Sequence, residues 1–138
     1  MTGLTISEAR FLLVEFLEGV LGSVPLLGLN KPGTAPEKAP YAVLNLTGRS
    51  WTRTRDLGVG EGRQKGKDAI IQLFCPVGVG EDDLEALAEA LMQAGEHYEH
   101  PDNLFGFGEV DYRSVGKDPH GKYQVNVFMP YWYWTGNV

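Results

Sequence analysis

The sequence predicts an α+β fold: a mostly antiparallel sheet packed by two helices, in the order α-β-β-β-α-β-β. Two segments, one after Thr5 and one after Gly80, space their apolar residues as helices do. Five others are rich in β-branched and aromatic residues, several with period-two alternation. The strand segments follow one another across glycine-rich connections, which favours hairpins and hence antiparallel pairing, with the helices on one face.

Thr5-Ile6-Ser7-Glu8 has capping-box form, so a helix should start there and run to Leu21, with Gly22 ending it. Its apolar residues, from Phe11 to Leu21, cover more than one narrow stripe, while Glu8, Glu15 and Glu18 mark a wet side. A helix this apolar calls for more cover than one sheet face supplies, and a neighbouring subunit is one source of it. Residues 23–40 carry Pro25, Pro32, Pro36 and Pro40 and read as an irregular connection.

Tyr41–Leu46 and Trp51–Arg55 read as the first two strands. Gly58, Gly60, Gly62 and Gly66 then mark a long polar hairpin tip. Asp68–Cys75 is the strongest strand signal, closed by Pro76 and the Gly78-Val79-Gly80 turn. Glu81, Asp82 and Asp83 suit a helix N-terminus, and Leu84, Leu87, Ala88 and Leu91 carry that helix to about Tyr98. Glu109–Val115 and Lys122–Met129 are the last two strands, followed by Pro130 and the aromatic run Tyr131-Trp132-Tyr133-Trp134.

A length of 138 residues makes residues 1–138 a single domain, able to bury roughly two-thirds of its unfolded surface. The lone cysteine, Cys75, excludes an internal disulfide. The N-terminus lacks signal-peptide form and no apolar run is long enough for a membrane span, so a soluble cytoplasmic protein is expected.

Net charge is −6, which argues against general nucleic-acid binding, yet the charge is uneven. Arg49, Arg53, Arg55, Arg63, Lys65 and Lys67 face only Asp56 and Glu61 within one segment. That segment is either a hairpin made soluble by its charges or a contact with an acidic neighbour or a phosphate backbone.

Catalytic readings fail on spacing. Gly58 to Lys67 has Glu61 where a phosphate loop needs glycine, and Asp68 where it needs Ser or Thr for magnesium. His97 and His100 lie among acidic residues but not in a zinc-helix pattern, and Pro101 breaks the helix beside them. Cys75 reads as a small buried hydrophobe, and no serine sits in a nucleophile elbow. No enzyme activity, metal or cofactor is expected. Alternating neighbours in the aromatic run must point to opposite faces. It is therefore an edge strand whose second face a helix covers, or it forms a subunit interface through Tyr131, Trp132, Tyr133 and Trp134.

The stretch Gly66-Lys-Asp-Ala-Ile-Ile-Gln-Leu-Phe-Cys-Pro-Val-Gly-Val-Gly80, followed directly by the helix from Asp82 to His97, resembles the strand, Pro-x-Gly-x-Gly turn and helix of siphophage tail-terminator and related minor tail proteins. The resemblance spans nearly the whole chain and rests on the order of elements more than on any single residue. It implies a non-enzymatic virion subunit, assembled in the host cytoplasm, that closes into a ring, usually a hexamer, on the head-proximal end of the tail tube. The ring ends tube polymerisation and prepares head–tail joining. Implied partners are further copies of itself, the tail tube protein and a head-completion or neck protein, with DNA passing through the lumen unread. By the same analogy the hairpin, with Arg53, Arg55, Arg63, Lys65 and Lys67, is the contact loop. A neck or head-completion protein, or a DNA-binding accessory protein, are the alternatives.

Overall fold

Helix α1, Ile6–Leu21, begins as its capping box dictates: the Glu8 N–H donates to Thr5 Oγ1 and the Thr5 N–H donates to Glu8 Oε1, both at 3.1 Å. The computed structural model describes residues 2–28, 34–36, 38–46, 50–53, 62–78, 80–119 and 121–137, and the backbone alone of Arg53. Ala9, Leu13, Leu17 and Leu21 recur every fourth residue and are buried as one stripe. Helix α2, Glu81–Glu96, buries Leu84, Ala88, Leu91 and Gly95 in the same manner. Its N-cap, Gly80, sits in the left-handed region at φ 86°, a conformation that suits glycine and turns the chain sharply out of the preceding strand.

The strands are β1 (Leu26–Leu27), β2 (Tyr41–Asn45), β3 (Ser50–Arg53), β4 (Arg63–Pro76), β5 (Phe105–Phe107), β6 (Asp111–Lys117) and β7 (Lys122–Thr135). All join one sheet of order β1-β2-β4-β7-β5, with β3 also on β4 and β6 also on β7. Every pairing is antiparallel except β1 with β2. The α+β class and the antiparallel sheet are as expected. The order is α-β-β-β-β-α-β-β-β, because β1 and β5 are too short to leave a pattern in sequence.

At the centre, β4 and β7 pair over their whole lengths, from Arg63 opposite Thr135 to Pro76 opposite Lys122. Each is flanked by two short strands laid end to end: β2 and β3 along β4, β6 and β5 along β7. This corrects two expectations. Arg63 to Lys67 lie in a ladder and not at a hairpin tip, and the aromatic run is the end of a central strand and not an edge. Pro130 does not break β7, for a positional reason. Its carbonyl accepts from the Gly108 N–H at 2.8 Å, so the missing N–H also faces that side, at the gap between β6 and β5.

Along β4 and β7 the odd-numbered residues face the helices, and Ala69, Ile71, Leu73, Cys75, Val125, Val127, Met129, Tyr131 and Tyr133 join α1 and α2 in one core. Phe16 of α1 reaches the rings of Phe107 (4.7 Å between centroids) and Tyr98 (5.3 Å). The even-numbered residues form the other face. There a single row across four strands reads Trp51, Gly66, Trp132, Gly106. The Trp51 ring lies on Gly66 and the Trp132 ring on Gly106, each occupying the space a Cβ would take.

Gly66→Ala should therefore lose about 1–3 kcal/mol by overpacking. Urea unfolding checks this, and the loss should shrink when Trp51→Ala is present as well, because the clash partner is then gone. Equal losses in both backgrounds would mean that the ring is not what the methyl meets.

Candidate assembly surface

The fold distributes the expected contact residues unevenly. Arg63, Lys65 and Lys67 alternate along β4 and so point to the same side, opposite Thr135, Tyr133 and Tyr131 of β7. Arg63 is exposed; Lys65 and Lys67 are half-buried. The two lysines border a groove of 190 Å³ whose other walls include Ile6, Trp51, Tyr131 and Tyr133. Neither lysine has an ion-pair partner among the described residues. The Arg53 backbone pairs with that of Gln64, and its side chain lies outside what the structure describes. Arg55 and the tip from Gly58 to Glu61 lie outside the described residues.

The four aromatics of the expected interface separate as alternation requires. Tyr131 and Tyr133 are buried beneath the helices, at 3% and 6% exposure, and Trp134 is buried on the opposite side. Only Trp132 is left half-exposed, so a partner meeting this segment would touch that ring and not all four. On the second face the chain's own glycines seat the inner sides of the tryptophan rings. Burial pushes the Tyr131 phenol up to about 12; the neighbouring Tyr133 adds to the rise and Arg10 opposes it.

Sequence reasoning foresaw an over-apolar α1 without locating the surplus. Phe11 is 67% exposed and Ile6 58%. Phe11 lies two residues from Ala9 and from Leu13, about 200° around the helix from the buried stripe, which is the signal that places it outside. Leu4, Phe11, Leu12 and His100 line a groove of 340 Å³ along this side. Ile6 lies about 140° around the helix from Phe11 and borders the lysine groove instead, so α1 leaves apolar surface in water on two sides.

The remaining candidates take structural places. His100 Nδ1 accepts the backbone N–H of Asp102 at 3.2 Å and of Leu104 at 3.4 Å, tying the turn that leads into β5, while His97 caps the end of α2. Among the described residues no group of three His, Cys, Asp or Glu is placed to hold a metal. Cys75 is fully buried, and burial, reinforced by Glu81, pushes its thiol up and away from the reactive thiolate. Among the described residues no helix is long and apolar enough to cross a membrane.

No protein-family model matches the chain, and no curated protein matches it. Solved structures do align with it. One, which carries no functional description, aligns over 93% of this chain and 92% of its own, with a TM-score of 0.63 and 18% identity. Another, from the virion of a native gene transfer agent particle, aligns over 85% and 83%, with a TM-score of 0.49 and 16% identity. At such identities the likeness of the first chain is one of fold.

The buried tyrosines set an alkaline limit on stability. The unfolded phenol ionises near 10.0 and folded Tyr131 near 12, so through that interval the folded chain keeps a proton that the unfolded chain has lost. The stability this confers is complete below pH 10 and falls as pH rises from 10 to 12. Thermal melts across that range should show the decline, and Tyr131→Phe should flatten it. A slope identical in the variant would place the titrating group elsewhere.

Proposed function

We propose that this chain is a structural virion subunit that closes into a ring on the head-proximal end of a phage-type tail tube. There it ends tube polymerisation and presents a surface for joining the head. The observation that carries this reading is the β4–turn–α2 unit. A strand continuous to Pro76, Gly78 and Gly80 both at positive φ, and a helix starting at Glu81 resemble the strand, Pro-x-Gly-x-Gly turn and helix of tail-terminator proteins.

The surface supports the same reading. Exposed Phe11 on one side of α1, exposed Ile6 on another and a row of cations on β4 suit contacts with large, preformed partners better than the capture of a small molecule. A closed ring repeats one heterologous contact until the rotation closes, and it terminates a tube when only one of its two faces matches tube subunits. The partners are then further copies of this chain, the tail tube protein on one face and a head-completion protein on the other, with DNA passing through unread and no cofactor required.

Phage particles lacking this protein should assemble tails of uncontrolled length that fail to join heads, and supplying it in trans should restore uniform, joined tails. Tails of normal length that merely fail to join would instead favour a neck protein. Uniform, infectious particles in its absence would overturn both.

A further inference from the structure

The two ends of the β4–β7 pair carry opposite charges that this chain does not bring together. At one end stand Arg63, Lys65 and Lys67, the lysines bordering the groove beside Ile6 and Trp51. At the other, past Pro76, Asp82 and Asp83 project from the first turn of α2, both exposed. Their neighbour Glu81 is already engaged, accepting the Gly78 N–H at 2.9 Å, but neither aspartate has an ion-pair partner among the described residues. From Lys65 to Pro76 the strand advances eleven residues, so the two ends are roughly 40 Å apart. Charges at that distance, several Debye lengths in physiological salt, do not stabilise one another within one molecule.

A second copy displaced along the strand direction brings them together. We propose that the Lys65–Lys67 groove receives the Asp82–Asp83 turn of the next copy, making the head-to-tail contact on which the ring reading rests. Three features favour a second copy over another acidic partner. The complement is present on the chain itself. The two patches are different surfaces, one on β4 and one on α2 beyond the other end of that strand, as a heterologous contact uses and an isologous one does not. The half-buried lysines stand beside Ile6, Tyr131 and Tyr133, where a pairing is less screened than on open surface. Such a contact uses each end once per subunit and leaves the Phe11 side of α1 free for the tube or the head. Three cations in one row reach too few phosphates to hold duplex DNA firmly at physiological salt.

The test is charge reversal in the full chain: Lys65→Glu with Lys67→Glu in one variant, Asp82→Lys with Asp83→Lys in another. Sedimentation measures self-association of each variant, of the wild type and of an equimolar mixture of the two variants, at low and physiological salt. Circular dichroism confirms that each is folded. The wild type should associate more weakly as salt rises, and each variant alone should associate at least ~10-fold more weakly than the wild type. The mixture should recover wild-type masses, because alternating copies restore every pairing. Association of the single variants at wild-type strength, or no recovery on mixing, would overturn the contact. So would a wild type that stays monomeric at every concentration, or a wild-type row that shifts duplex DNA while its reversal leaves self-association unchanged. If wild-type protein and both variants all still produced uniform, joined tails in particles, the ring-cap reading would stand and only this contact would fall.

Discussion

The register of β4 against β7 is the constraint on which the rest of the structure depends. These two strands pair along their full lengths, and every other strand except β1 attaches directly to one of them. Because side chains alternate, a slip of β4 by one residue against β7 would turn Ile71 and Leu73 out of the core and present Gln72 to the helices. Both helices pack on the face that this register creates. The same register also sets Lys65 opposite Tyr133 and Lys67 opposite Tyr131, so it decides what the basic row borders.

Strands this long exceed the usual three to ten residues, and they are managed by a change of neighbours along their length. Near the Pro76 end the flanks are β2 and β6, and the sheet face away from the helices is dressed with amides, among them the Asn45–Gln72 and Gln124–Asn126 pairs at 2.9 and 2.8 Å. Near the Arg63 end the flanks are β3 and β5, and the same face carries tryptophan rings seated on glycines. Pro130 lies at the junction, where one flank has ended and the next has not begun. The residues that looked like strand breakers in sequence thus occupy the places a long, twice-flanked strand provides for them.

This explains what was legible and what was not. The capping box at Thr5, the apolar spacing of α2 and the alternation of Lys122–Met129 are local patterns, and each element stands where its pattern put it. The continuation of β4 back through Gly66 to Arg63 was hidden, because glycine and lysine are poor strand formers and only the cross-strand tryptophan explains the glycine. The continuation of β7 through Pro130 was hidden for the reason just given. The aromatic run announced that two faces are occupied but not by what. Of the candidate site, the composition of the basic segment was evident, whereas the shared side of Arg63, Lys65 and Lys67 followed only once β4 was seen to extend back to Arg63. The exposed apolar surface of α1 was foreshadowed by its excess of apolar residues, and its location at Ile6 and Phe11 emerged once the buried stripe was known.

The paired-strand core carries exposed Phe11 and Ile6 on two sides of α1, a basic groove and an acidic turn, the surfaces on which the proposed assembly rests. The central claim is that the chain acts as a ring at one end of a tube. Electron microscopy of purified tail tubes incubated with the protein tests this most directly. The account predicts a single added layer, with the rotational symmetry of the tube, at one end and no further growth of tubes so capped. Protein scattered along the tube wall, or bare ends that keep elongating, would contradict it.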